Sequence, residues 1–133
     1  MRSTESEAHS RSLGTALLVA GLLGLVAPYS AKLLGLVVAV RPIVEIVDHV
    51  IPGAVVLGVA GFILMTNQIP LPAGLLATLA AFWMTVTHLP LLAQAARGAV
   101  GWAAAWWHTG PGVVLLILST IVVSVAWRTS PES

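Results

Sequence analysis

Three histidines lie beside prolines in an otherwise apolar sequence, and imidazole has the widest chemistry of any side chain in it. His49, His88 and His108 each stand within three residues of a proline. A neutral imidazole nitrogen binds transition metals or haem iron, and the ring exchanges protons near neutral pH. These residues therefore point to ligand binding, to proton transfer, or to hydrogen bonding with carbonyls that proline leaves free.

Two interpretations of the histidines remain open from the sequence. His49 and His108 would suit bis-imidazole ligation of a haem, which would make the protein a haem- or metal-binding electron-transfer module. The favoured interpretation places the rings at the membrane interface, hydrogen-bonded to carbonyls freed by proline, because polar groups there face little penalty. With Lys32, Glu45 and Asp48, His88 is expected to form a polar layer at that depth. No separate metal site and no resident cofactor are predicted.

Catalytic motifs are absent from the sequence. It contains no glycine-rich phosphate loop with lysine, no H-E-x-x-H and no G-x-S-x-G. The serines near apolar segments have no carboxylate–histidine partner that spacing would indicate. Glu45 and Asp48 stand at the start of a segment, unlike the deep carboxylate of a small proton-driven exporter. There is no cysteine, which excludes disulfides and thiolate metal sites. We predict that the protein is not an enzyme.

The segments that carry these residues are apolar enough to cross a membrane. No Lys, Arg, Asp or Glu occurs between Asp48 and Arg97, and uncharged runs also cover residues 12–31 and 98–127. Charged residues make up 8% of the chain, against roughly 25% in soluble domains. A spanning helix needs about 20 apolar residues. The sequence predicts an all-α integral membrane protein whose first partner is the lipid bilayer. The net charge of +1 gives no indication of nucleic-acid binding.

Turn residues divide the apolar sequence into four predicted transmembrane helices, arranged as two tandem hairpins. The predicted spans are residues 13–40, 43–65, 73–96 and 99–128, with a polar, disordered tail at 1–12 and another at 129–133. Each span contains a proline, which removes a backbone hydrogen bond and kinks a helix. An alternative is four shorter spans joined by interfacial helices at 30–50 and 91–109.

An internal repeat supports the two-hairpin layout. The pattern H-x-x-P-G-x-V-x-L occurs at His49–Leu57 and again at His108–Leu116. Two hairpins in this order share one orientation and are related by an axis along the membrane normal. The layout resembles that of small bacterial SPW-repeat membrane proteins, with Ala-Pro-Tyr at positions 27–29 in the place of Ser-Pro-Trp. His-Leu-Pro at 88–90 departs further. The resemblance implies a small multi-span membrane protein of unassigned activity.

Small residues predict where helices pack. Gly24, Gly58, Gly61, Ala77 and Ala81 are spaced so that another helix backbone approaches closely, which drives association in lipid. The predicted role is an accessory or homo-oligomerising subunit of a bacterial inner membrane. Replacing Gly24 or Ala81 by leucine is then expected to disrupt assembly. Besides the haem- or metal-binding alternative, a small channel or transporter lined by the polar layer remains open.

Aromatic and basic residues indicate depth and sidedness. Trp106 and Trp127 are 21 residues apart, or about 30 Å of helix, which fits the two aromatic belts of a bilayer. Positive charges are balanced between the two faces. Arg11 and Arg128 directly abut span ends, so we expect both termini to be cytoplasmic.

Overall fold

The protein is helical in a computed structural model that describes residues 2–31, 33–36 and 42–129. Its elements are α1 (Arg2–Ser30), α2 (Pro42–Glu45), a π-helical segment (Ile46–Val50), α3 (Ile51–Thr66), α4 (Leu71–Ala96) and α5 (Trp102–Thr129). The described residues hold four helical stretches long and apolar enough to cross a membrane, namely Thr4–Ala27, Pro42–Thr66, Leu71–Ala96 and Trp102–Thr129. The predicted all-α, four-span membrane architecture is confirmed.

The first helix begins earlier than predicted. The helix α1 starts at Arg2, so the interpretation of residues 1–12 as a disordered tail is wrong for the described residues. Glu5 lies in the first turn, where a negative charge complements the helix dipole. The guanidinium Nε of Arg11 donates a hydrogen bond to Asn67 Oδ1 at 3.2 Å. This bond ties the extra turns of α1 to the connection between α3 and α4.

The first helix also ends earlier than the predicted boundary at residue 40. It stops at Ser30, and the chain turns through Gly35, whose φ of 70° is a left-handed conformation suited to glycine. The indole Nε1 of Trp107 donates to the carbonyl of Ala27 at 2.7 Å, and so satisfies one of the last carbonyls of α1. Of the predicted site residues, Lys32 lies outside the described residues.

The helices pack around a continuous apolar core. The most extensive contact joins α4 to α5, while α1 packs against α3 and α5, and α3 packs against α4. The largest fully buried apolar side chains, each 0% exposed, are Leu17, Val56, Ile63, Met84, Leu115 and Val122. Large apolar side chains also cover the outside of the bundle, among them Leu23, Trp83 and Trp127. An apolar exterior is what contact with lipid hydrocarbon requires.

The prolines affect their helices differently. Pro90 and Pro111 lie inside α4 and α5, which continue on both sides of them. Before Pro52 the helix widens instead, and the N–H of Ile51 bonds to the carbonyl of Ile46, five residues back. A proline ring clashes with the carbonyl four residues before it, and a wider turn relieves that clash. The π-helical segment accommodates the ring of Pro52, although Pro90 and Pro111 show that a proline does not by itself require a wider turn.

A buried histidine cluster between three helices

The imidazoles of the π-helical segment, α4 and α5 meet inside the bundle. The ring of His49 lies 4.0 Å from that of His88 and 6.4 Å from that of His108, centroid to centroid. The three side chains are only 1%, 7% and 2% exposed, in the same order. We call His49, His88 and His108 the histidine cluster. It lies in the interior of the chain, while the depth of these rings relative to the membrane interface stays a prediction.

A close approach of α4 and α5 positions two members of the cluster. A methyl group added at Gly112 would lie 3.0 Å from both the backbone nitrogen and the hydroxyl of Thr85, so any other residue there would require α4 and α5 to shift by a few tenths of an ångström. One turn away, the hydroxyl of Thr109 donates to the carbonyl of His88 at 3.2 Å. The backbone contact and the hydrogen bond fix His88 beside His108.

The third member is positioned by the corresponding motif in α3. A methyl group at Gly53 would lie 2.7 Å from Leu25 Cδ2, so the start of α3 lies tightly against α1. The π-helical segment directly before this contact sets the side-chain directions. Within it His49 is buried, Asp48 is half-buried and Val47 is exposed. The H-x-x-P-G spacing thus turns one histidine of each pair of helices toward the same interior point.

Backbone hydrogen bonds fix the orientation of two rings. Nδ1 of His88 lies 2.6 Å from the carbonyl of Met84, and Nδ1 of His108 lies 2.9 Å from that of Ala104. A carbonyl only accepts, so Nδ1 carries the hydrogen in both rings. In the neutral rings Nε2 then has a free lone pair. This is the arrangement of metal-binding histidines, in which a backbone carbonyl often holds the other nitrogen.

The carbonyls that accept these hydrogen bonds are not the ones expected from the sequence. Pro90 and Pro111 leave free the carbonyls of residues 86 and 107, four positions earlier. The rings of His88 and His108 instead bond the carbonyls of their own preceding turn. The predicted hydrogen bonds from the rings to backbone carbonyls are present, but the acceptors are not the carbonyls that the prolines leave free.

Unsatisfied polar atoms lie at the centre of the cluster. Neither ring nitrogen of His49 has a hydrogen-bond partner among the described residues, and neither has Oε1 of Glu45. Nε2 of His49 and Oε1 of Glu45 are 3.9 Å apart, which is too long for a hydrogen bond. Each buried polar group left unpaired costs about 1–3 kcal/mol. An unpaired group of this kind in a folded protein calls for an explanation, such as a ligand.

Two carboxylates complete the surroundings. Glu45 is buried and lies within electrostatic range of His108, while half-buried Asp48 at the rim interacts with His88. The structure thus brings three of the four predicted polar-layer residues together with His49 and His108. The fourth, Lys32, is the one outside the described residues.

The donor set is suited to a metal ion, although its present geometry is not that of a bound site. Among the described residues, no group of three or more histidine, cysteine or acidic side chains is arranged so that it could hold a metal ion as it stands. A haem between His49 and His108 would need a porphyrin-sized slot. Both side chains are almost fully buried, and His88 lies closer to His49 than His108 does. Haem would therefore require the helices to separate.

The predicted packing residues fall into two groups. Gly24, Ala77 and Ala81 face the interior of the chain, and a methyl group at Gly24 would lie 3.5 Å from Leu115 Cδ1. Gly58 and Gly61 differ, because a methyl group at either would meet nothing within 4 Å among the described residues. The first group packs helices of one chain, and the second lies open on the outer face of α3.

Sequence reasoning grouped His88 with the polar layer and proposed only His49 and His108 as ligands. The structure gives His88 the shortest ring separation from His49. The available signal was its position two residues before Pro90, at the depth of the other two histidines. The π-helical segment had no comparable signal, since a proline alone does not specify a wider turn.

Comparison of this chain with models of protein families, with curated proteins and with solved structures gives no match. The resemblance to SPW-repeat proteins stays a prediction. The function is inferred from the chemistry of the histidine cluster, since a fold class by itself does not specify an activity.

Proposed function

We propose that this protein binds a divalent transition-metal ion inside the membrane through His49, His88 and His108. The observation that carries the proposal is His49, which is fully buried 4.0 Å from His88 with both ring nitrogens unpartnered among the described residues. Imidazole nitrogen is a preferred ligand of zinc, copper, nickel and iron. Polar and ionisable groups within membrane spans are costly and usually mark functional sites.

The orientation of the other two rings supports the same proposal. His88 and His108 donate their Nδ1–H groups to backbone carbonyls, which leaves Nε2 of each ring free to bind a metal ion. His49 has no hydrogen bond to lose among the described residues, so its ring can turn without breaking one.

Metal binding is tested directly on the purified protein. After treatment with a chelator, the detergent-solubilised chain is dialysed against Zn²⁺ or Co²⁺, and bound metal is measured by elemental analysis. We expect one ion per chain for the wild type, and none for the variant with His49, His88 and His108 all replaced by alanine. His9→Ala is the matched control, because His9 is exposed and lies beside Asn67 at the other end of α1.

Two outcomes would contradict metal binding. One is a wild type that retains no metal, and the other is equal retention by the triple-alanine variant. A reduced-minus-oxidised absorption spectrum of the same preparation separates the haem alternative. A Soret band that is lost in His49→Ala and His108→Ala would favour electron transfer instead.

A second candidate function is assembly through helix packing, and the open space at Gly58 and Gly61 favours it. Because nothing of the described chain covers them, a helix of another copy or subunit has room to approach there. Replacing both by leucine is expected to shift the protein to a smaller species on a native gel. An unchanged species would count against assembly by this face.

Gly24 and Ala81 are buried within one chain, which changes the result expected from leucine at either position. Leucine at either position would disturb packing within one chain, so it would reduce folding as well as assembly. A variant at Gly58 and Gly61 separates the two effects, since its own fold has space for the new side chains. Its unfolding in detergent should match that of the wild type.

The internal repeat, the cellular location and the orientation of the chain are also proposals. We propose a repeat of two hairpins, supported by Gly53 packing against α1 and Gly112 packing against α4, which is the same relation in each. We propose a bacterial inner-membrane location with both termini cytoplasmic, supported by Arg11 and Arg128 at the span ends. In that orientation the histidine cluster lies toward the opposite face of the membrane.

A further inference from the structure

We infer that Glu45 is the fourth ligand of the metal ion, so that the site has three nitrogen donors and one oxygen donor. This inference rests on the proposed function and extends it to the class of ion. It follows from three features of Glu45, which are its burial, its unpartnered oxygen and its place one turn before His49.

Glu45 is directed into the bundle rather than toward lipid or water. It is 8% exposed, whereas Ile43, Val44 and Ile46 around it are all exposed. Its Oε1 has no hydrogen-bond partner in the described part of the chain and lies 3.9 Å from Nε2 of His49. A buried carboxylate oxygen without a partner is costly, and a metal ion bound by both residues would satisfy it.

The backbone keeps the two residues together. Glu45 is the last residue of α2, and His49 is the fourth residue of the π-helical segment that follows. Residues four apart on a helix lie on the same face. The wider turn lies directly before Pro52 at the start of α3, so the pair precedes the tight contact of Gly53 with α1.

Charge favours a divalent ion at this site. A divalent cation carries a high desolvation cost inside a membrane, and imidazoles alone offset none of its charge. Glu45 supplies one negative charge in direct contact, and Asp48 at the rim supplies another nearby. Together they would neutralise the ion.

The donor types narrow the class of ion. Three imidazoles with one carboxylate suit a four-coordinate ion such as Zn²⁺ or Co²⁺. Mg²⁺ and Ca²⁺ prefer six or more oxygen donors, so we expect neither to compete. The soft thiolate donors that select copper(I) are absent, since the chain has no cysteine.

Co²⁺ is the probe that tests this inference, because its visible spectrum reports the number and type of ligands. Wild-type protein titrated with Co²⁺ is expected to show the intense visible bands of four-coordinate cobalt, unaffected by millimolar Mg²⁺. In Glu45→Gln we expect weaker, shifted bands and an affinity lower by at least tenfold, roughly the smallest loss seen even for outer-shell partners. Asp48→Asn is the comparison variant, because it removes a nearby charge but no ligand, so its affinity should fall less than that of Glu45→Gln while its bands keep their positions.

The outcomes separate this inference from the proposed function. If the wild type shows no cobalt bands and retains no metal, the proposed function fails, and the role of Glu45 fails with it. If the wild type binds Co²⁺ and Glu45→Gln has the same spectrum and affinity, only the role of Glu45 is overturned.

Folding of the variant is measured separately. Glu45→Gln in its metal-free form should melt at or above the wild-type temperature, because a charged buried group is replaced by a neutral one. Addition of Co²⁺ should then raise its melting temperature less than that of the wild type. An equal rise in the two proteins would contradict ligation by Glu45.

Discussion

His49 is fully buried, yet neither of its ring nitrogens has a hydrogen-bond partner in the described residues. Its neighbours His88 and His108 each satisfy one nitrogen on a backbone carbonyl. The asymmetry identifies His49 as the residue that costs stability in the absence of a ligand. A core packed only for stability would have an apolar side chain in the space that His49 occupies.

His49→Leu is therefore expected to stabilise the metal-free protein. Leucine fills a similar volume and removes two unpaired polar atoms, so we expect the free energy of unfolding to rise by about 1 kcal/mol. The measurement is reversible unfolding in mixed detergent micelles after treatment with a chelator.

His108→Leu is the control for this prediction, since it removes a ring whose Nδ1 is hydrogen-bonded. His108→Leu should stabilise the metal-free protein less than His49→Leu does, or should destabilise it. Addition of Zn²⁺ should stabilise the wild type but not His49→Leu. A loss of stability in metal-free His49→Leu would show that His49 contributes to the fold in another way.

Glycine contacts decide how the helices meet. Gly112 allows the backbone of α5 to approach that of α4 at Thr85, next to the histidine cluster. The π-helical segment directly before Pro52 carries His49. The helices themselves are specified locally, while their crossings depend on a few glycines at which a larger side chain would push the neighbouring helix away.

Gly112→Ala tests the α4–α5 crossing. The added methyl group would lie 3.0 Å from backbone and hydroxyl atoms of Thr85, so α4 and α5 must shift by a few tenths of an ångström to admit it. Such overpacking typically costs about 1–3 kcal/mol, and metal affinity should fall as His88 and His108 move apart. Both quantities are measured by unfolding and by metal titration in detergent.

Gly58→Ala is the matched control for the crossing. Its methyl group would enter open space, and alanine is favoured over glycine within a helix by up to about 1 kcal/mol. We expect this variant to be as stable as the wild type or more so, with unchanged metal affinity. Equal effects of the two alanine substitutions would contradict the tight crossing at Gly112.

The whole molecule encloses the histidine cluster at one end of an apolar core. Fully buried side chains such as Val56, Met84 and Leu115 fill the bundle between the helices. This packing favours binding of an ion over its passage across the membrane. The acidic side chain at the rim, Asp48, is only half-buried and marks the side on which the cluster lies nearest the surface.

Much of this fold could be predicted because its signals are local. Long uncharged runs predicted the four spans, and the structure has four helical stretches long and apolar enough to cross a membrane among the described residues. The first helix was predicted less well. Arg11 in its additional turns bonds Asn67, and at its end Trp107 donates to a terminal carbonyl. Both are distant contacts that no local pattern contains.

The sequence by itself determined that the chain is an all-α membrane protein, because hydrocarbon admits only long apolar helices with satisfied backbones. It also determined which residues could carry chemistry, since His49, His88 and His108 stand out in so apolar a chain. Only the tertiary structure decided that these three meet and that His49 and Glu45 are left unpartnered among the described residues. The reason is physical, because ring separations and hydrogen bonds depend on how distant helices cross, and the glycine contacts that set those crossings form only in the folded bundle.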